Sequence, residues 1–354
     1  MIRRHERSPY ASSGWKDGSA DWTKIRFDSG SAPVTLSTMT PVKDDQSTAL
    51  SRDVIQAFDD LNGLHPGFRP AHAKGILLSG AFTPSPGGSS LTRAPHLQRK
   101  STPVTVRFSD FGGVPTVPDN DPNASPRGIG VRFHLGEHVH TDIIAHSVDG
   151  FPVRTAEEFV EFLRAVHASG PTTPRPTPIE SFLAAHPAAL QFVQVPKPLP
   201  SSFAKESFFA VNAYKFTNQT GVSRYGRYRI RPDGSSEYLD SEVAAAKSSN
   251  FLFDEIRERL AKAPTNLHIV VQLAAIGDVV DDSTVHWPED RPQVEFGTIQ
   301  LTGVIPNNEA EQRHIIFDPI PRVEGIDSSG DPLLEPRAAV YLMSGRRRRA
   351  SGAK

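Results

Sequence analysis

The sequence has no cysteine in its 354 residues. That absence excludes disulfide scaffolds, thiolate zinc sites, iron–sulfur clusters and cysteine nucleophiles together, and leaves any metal to His, Tyr or carboxylate side chains. No apolar run approaches the ~20 residues needed to span a bilayer. The N-terminal MIRRHERSPYASSGW is charged, with no apolar signal segment behind it, so the expectation is a cytoplasmic protein without integral membrane contact. Excess charge of one sign is also missing. Lys+Arg count 39 against Asp+Glu 40, a net −1, so no positive field points to nucleic acid. What is present is punctuation: 26 glycines and 31 prolines, too many for a mostly helical bundle.

Residues 1–44 are polar and rich in Ser, Gly and charge, and read as a loose arm. Leu50, Val54, Ile55, Phe58 and Leu61 then recur at helical spacing and stop at Gly63. PVTVRFS (103–109), GIGVRFHL (128–135) and TDIIAHS (141–147) alternate as strands, the last two joined in a hairpin around Gly136–His138. TAEEFVEFLRAVHASG (155–170) opens on a capping box and closes on Gly, which predicts a helix. A Pro-rich connection over 171–178 leads to a second helix near 179–192. Further strands are expected at 208–216, 225–231, 267–275 and 294–304, with a helix at 251–262 capped by Asn250. Strands come in consecutive runs interrupted twice by helices, so the fold class is α+β with an antiparallel sheet.

Arg337 and Tyr341 stand at i, i+4 on the last periodic segment, close enough for the guanidinium to touch the phenol oxygen. A cation there favours the phenolate, a hard anionic ligand suited to ferric iron and one of the few axial ligands of haem. Taken alone, such a pair is more often a surface arginine stacked on a tyrosine. His72, in RPAHAKG on an extended approach to a strand, is by itself more often an ordinary half-buried histidine. Arg107 and Ser109 sit two apart on a strand and share a face. Facing a barrel interior, they call for polar partners: a serine to fix a histidine tautomer, an arginine to neutralise a buried carboxylate. His134, His138, His140 and His146 cluster in sequence, but no ordered set of four zinc ligands emerges. The run Arg346–Arg349 reads as a solvated tail.

HAKG, TPVTVRFSDFGG, SPRGIGVRFHL and TDIIAHSVDGFPVRTAEEF, in this order and separation, resemble the haem catalases. The C-terminal FDP-x-x-R-V-x-G-I and DPLLEPRAAVYLMSGRR resemble the short catalase-related peroxidases of that superfamily. The resemblance runs from about His65 to Arg349. It implies a catalase-like antiparallel β-barrel with helical insertions and a C-terminal helix carrying the haem ligand, in one domain over 45–349 with a tail at 350–354. The implied cofactor is haem b (iron protoporphyrin IX). Tyr341 matches the proximal tyrosinate and Arg337 the arginine that keeps it ionised. His72 matches the distal histidine and Ser109 the serine that orients it. Arg69 and Arg107 match arginines that pair with the haem propionates, and Arg348 has the best spacing for a third. Phe151 and Phe159 match distal aromatics, one lining the pocket and one packing on the porphyrin.

The sequence departs from the catalase pattern in two places. His146 stands where large catalases carry a distal Asn, and a histidine there is bulkier and titratable. The chain ends at Lys354, without the long wrapping loop and C-terminal helices of larger catalases, so a more open pocket and a dimer rather than a tetramer are expected. The implied function is a peroxidase that reduces hydrogen peroxide or organic hydroperoxides with a small organic reductant, with weak catalase activity. Two other readings stay open. One is a fatty-acid hydroperoxide isomerase of allene-oxide-synthase type. The other is a non-catalytic haem-binding or sensing protein.

Overall fold

In the computed structural model, residues 42–351 are described. The arm expected over 1–44 lies outside the described residues, except that 42–44 belong to the first helix. Of the tail expected at 350–354, residues 352–354 also lie outside them. The strands are β1 (Gly75–Pro84), β2 (Thr102–Ser109), β3 (Gly128–Gly136), β4 (Val139–His146), β5 (Phe208–Phe209), β6 (Tyr214–Thr217), β7 (Ser223–Pro232), β8 (Thr265–Leu273), β9 (Gln293–Val304) and β10 (Ile326–Ser328). They pair in the order β7-β5-β4-β3-β2-β1-β9-β8, and β8 pairs back onto β7, which closes an eight-stranded antiparallel barrel. Closure removes the open edges that a sheet this large would otherwise expose. β6 extends β7 beyond the barrel, and β10 pairs with β6.

The helices are α1 (Val42–Asn62), α2 (Pro86–Leu91), α3 (Ala156–His167), α4 (Pro178–Ala185), α5 (Pro187–Gln194), α6 (Ser241–Ala245), α7 (Phe251–Lys262), α8 (Asn308–His314) and α9 (Leu334–Ala350). Thr155 and Glu158 form the expected capping box on α3. The helix expected over 179–192 is two helices, because Pro187 has no N–H to donate and bars His186 from the α region. The strand expected over 208–216 is likewise split into β5 and β6. Asn250 makes no side-chain cap on α7. Asp119, far off in sequence, accepts from the Leu252 N–H at 2.7 Å instead. The expected solvated tail is helix: α9 runs through Arg346–Arg349 to Ala350.

Two apolar clusters organise the molecule. One fills the barrel with alternate residues of its strands, among them Ile76, Leu78, Val106, Phe108, Val131, Ile269 and Phe296. The other joins α1 to α3 through Val54, Phe58, Val160 and Leu163, with Val340 of α9 packed against it. Because Phe108 belongs to the barrel filling, its neighbours Arg107 and Ser109 face outward. The expectation that this pair faces the barrel interior is therefore corrected: an eight-stranded barrel fills its centre with apolar side chains. The polar face of β2 lies at the seam between barrel and helices.

Candidate active site

That seam encloses a cavity of about 860 Å³. Every candidate site residue reaches its wall: Arg69, His72, Arg107, Ser109, His146, Phe151, Phe159, Arg337, Tyr341 and Arg348. Residues from opposite ends of the sequence meet here because β2, β3 and β4 form one wall while α1, α3 and α9 close over it.

On the barrel side, one row of cross-strand partners organises the wall: Gly75, Ser109, Gly128, His146, Phe209 and Arg229. Directly paired residues project from the same face, so Ser109, His146, Phe209 and Arg229 line up across the outer surface of the sheet. His72 reaches the row from the bend before β1. It is not on an extended approach as expected; its φ of 55° is left-handed. Hydrogen bonds from His72 N to the Phe111 carbonyl (2.6 Å) and from Ala73 N to the Gly112 carbonyl (3.0 Å) hold the bend. The His72 Nδ1 lies 3.0 Å from Ser109 Oγ. A Cβ on Gly128 would fall 2.7 Å from both the His72 ring and Ser109 Oγ, so this position must be glycine for the two to meet. Burial, then the charges of Arg107, His146 and Arg69, push His72 down to about 3. The ring is therefore neutral near pH 7, deep in the fold yet bordering open cavity.

On the helix side, Arg337 Nη2 donates to Tyr341 Oη at 3.2 Å, within one turn of α9. Its Nη1 donates to Asn212 Oδ1, and Asn212 Nδ2 donates in turn to Asp331 at 2.8 Å. Burial works against the Arg337 cation, but Tyr341, Tyr214 and Asp331 outweigh it and the guanidinium is pushed up.

The third feature is a cluster of arginines gathered by α8 and its C-terminus. Arg69 donates to the Gln312 and Ile315 carbonyls at 3.2 and 3.0 Å. Arg107 donates to Gln312 Oε1 (2.9 Å) and to the His72 and Ala73 carbonyls. Arg348 donates to Ser344 Oγ and to the same Ile315 carbonyl, both at 2.9 Å, and its Nε has no partner among the described residues. All these acceptors are neutral. Of the other buried arginines, Arg127 meets Asp110 and Arg229 meets Asp149, while Arg227 meets the Val285 and Asp282 carbonyls and lies over the Trp287 ring. Burial and mutual repulsion push Arg107 to about 9 and Arg69 well down, and burial with Arg349 and Arg347 pushes Arg348 to about 10. Of the C-terminal run, only Arg348 is buried; Arg347 pairs with Asp59, Arg349 meets the His314 carbonyl and Arg346 is exposed.

Phe151 and Phe159 touch at 5.2 Å, and Phe159 also meets Phe58 at 5.7 Å. Sequence reasoning missed Gln312, Asn212, Asp331 and Gly128; Gly128 and Asp331 lie within the quoted motifs, but what each acts on is distant along the chain. Among the described residues no group of three His, Asp or Glu side chains is placed to hold a metal ion, and His138 is exposed in its turn.

The family model described as "Catalase" matches residues 52–353. A catalase-related peroxidase of Synechococcus elongatus is 34% identical over 82% of this chain and 86% of its own. One from Mycolicibacterium paratuberculosis is 32% identical over 82% and 92%. Among solved structures, catalase A of Saccharomyces cerevisiae superposes with a TM-score of 0.70 at 19% identity, over 92% of this chain. A fungal catalase superposes with a TM-score of 0.71 at 21% identity, and the chain spans 66% of it. The chain belongs to the catalase family, the haem oxidoreductases of peroxide that its motifs resemble. No helix among the described residues is long and apolar enough to cross a membrane.

Proposed function

We propose that the protein is a peroxidase that binds haem b in the cavity between barrel and helices and reduces hydrogen peroxide or organic hydroperoxides with an organic electron donor, with catalase activity minor. The observation that carries this reading is the arginine cluster. Three guanidiniums gathered at one cavity wall, bonded only to neutral oxygens and pushed down by burial and by neighbouring arginines, favour an anionic ligand, and two propionates suit them. The walls fit the rest of the group: aromatic and aliphatic side chains for the porphyrin plane, and a phenol oxygen beside a guanidinium for the iron. Tyr341 Oη would hold the metal, with Arg337 Nη2 donating to that oxygen. When bound, ferric haem supplies the electron transfer that cleaves a peroxide O–O bond.

His72 supplies the proton handling. With Nδ1 engaged by Ser109, Nε2 is the nitrogen that would take the proton from the nearer peroxide oxygen and return it to the leaving one. Support for organic substrates comes from the part of the cavity lined by Phe162, Val166, Phe192, Val193, Val195 and Leu199, an apolar surface that suits a carbon substituent.

The test is the absorption spectrum of protein produced with ample haem. A high-spin ferric band is expected, lost in Tyr341→Phe; a colourless wild-type protein removes the proposal. Turnover of a lipid hydroperoxide should require the added donor. Turnover without it would make the protein an isomerase.

A further inference from the structure

The last residue of β4, His146, and Phe151 of the turn that follows both reach the cavity wall, and that turn is fastened to the barrel. Ser147 N donates to the Arg127 carbonyl, and Ser147 Oγ accepts from Arg127 N, both at 2.9 Å. Phe151 N donates to the Ser283 carbonyl at 3.1 Å. Between these anchors, Asp149 Oδ2 accepts from Arg229 Nη2 at 2.9 Å. The same nitrogen donates to Gln272 Oε1 at 2.8 Å, and the guanidinium lies 5.2 Å over the Phe209 ring. Phe209 is the register partner of both His146 and Arg229. The chain thus leaves the row at His146 and is tied back to it at Arg229.

This tie acts on a ring whose tautomer is defined. Val148 N donates to His146 Nδ1 at 3.3 Å; a nitrogen that accepts carries no proton, so the neutral ring holds its proton on Nε2. Burial, then Arg337, push His146 down to about 3, and the ring is neutral across the working range. Phe151 and Phe192 flank it at 6.5 and 6.3 Å. Its Nε2 is enclosed and without a partner among the described residues, a donor that lacks an acceptor until a ligand supplies one.

We propose that Asp149 and Arg229 are positioning residues whose ion pair fixes the 147–151 turn, so that His146 is presented as a neutral Nε2–H donor to an oxygen of the bound peroxide. The role toward peroxide rests on the function proposed above; the tautomer does not. Asp149→Ala in the haem-loaded protein should leave the absorption spectrum unchanged and raise KM for cumene hydroperoxide about tenfold, with kcat little altered. In a His146→Ala background the same substitution should change KM no further. Because Asp149→Ala leaves a buried guanidinium unpaired and can prevent folding, Asp149→Ala/Arg229→Met is made in parallel and should show the same rise. A folded double variant with wild-type KM, or an Asp149→Ala effect that adds in full to His146→Ala, overturns the proposal. If the loaded protein turns over no peroxide, the proposed function fails, and nitrogen NMR of the haem-free protein still decides the tie. A single Nε2–H tautomer for His146 that becomes mixed in Asp149→Ala supports it; an unchanged spectrum in that variant overturns it.

Discussion

The interior of the barrel and the cavity on its outer wall are built from the same strands and have opposite chemistry. β2 shows this within three residues: Phe108 stacks on Phe203 and Phe208 inside, while Arg107 and Ser109 on either side of it meet Gln312 and His72 outside. The interior is ring upon ring with few polar atoms, of which His96 Nδ1 has no partner among the described residues. The cavity wall gathers guanidiniums bonded only to neutral oxygens beside the unpartnered His146 Nε2. The interior therefore sets stability, and the cavity is organised around a ligand, which is where binding chemistry belongs.

Substitutions on either side of that wall should separate the two roles. His72→Ala should leave haem content unchanged and slow the reaction with peroxide by roughly two to four orders of magnitude, read by stopped-flow absorbance. Phe108→Ala, next to Ser109 on β2 but facing inward, should cost roughly 3–5 kcal/mol of stability in denaturant unfolding, with the spectrum of the folded fraction intact. Arg348→Met makes the cavity more like the interior. It should stabilise the haem-free protein by ~1 kcal/mol while weakening haem binding, measured by thermal melting and haem titration.

The smallest expected effect is on acid unfolding. His96, among Phe82, Phe133 and Phe296 inside the barrel, and His146 in the cavity are both held at about 3 against an ordinary 6.5, chiefly by burial. The unfolded chain takes up these protons from about pH 6.5 and the folded protein only near 3, so their contribution is whole above 6.5 and lost as pH falls toward 3. Asp110 and Glu206, both raised to about 7 by burial, run the other way. His96→Leu and His146→Asn should each flatten the acid limb of a stability–pH curve; only the second should alter peroxide kinetics.

The side chains on the cavity wall were legible from the sequence because they sit in motifs that resemble those of the haem catalases, where local spacing alone left ordinary readings open. Arg337 and Tyr341 share one helical turn, and Arg107 and Ser109 share one strand face. Which face that was could not be read, since a period of two names two sides without saying which is inside. The supports of the site were also hidden. Gln312 braces Arg107 and Asn212 braces Arg337 across more than a hundred positions, and no local pattern records such a partner. Pro187 is visible in the sequence, and it cuts into two helices a stretch that apolar periodicity alone reads as one.

The row from Gly75 through Ser109, Gly128 and His146 to Arg229 has a consequence for how this molecule tolerates changes in length. Side chains alternate with a period of two, so one residue inserted into β2, β3 or β4 turns every later side chain of that strand to the opposite face. The insertion would bring Arg107 into the barrel and send Phe108 out, or would part His146 from Phe209. Point substitutions on the wall can be sampled one at a time, but insertions or deletions there disturb core and site in a single step. Lengthening is tolerated instead in exposed connections between helices such as 171–176, where no strand register is at stake.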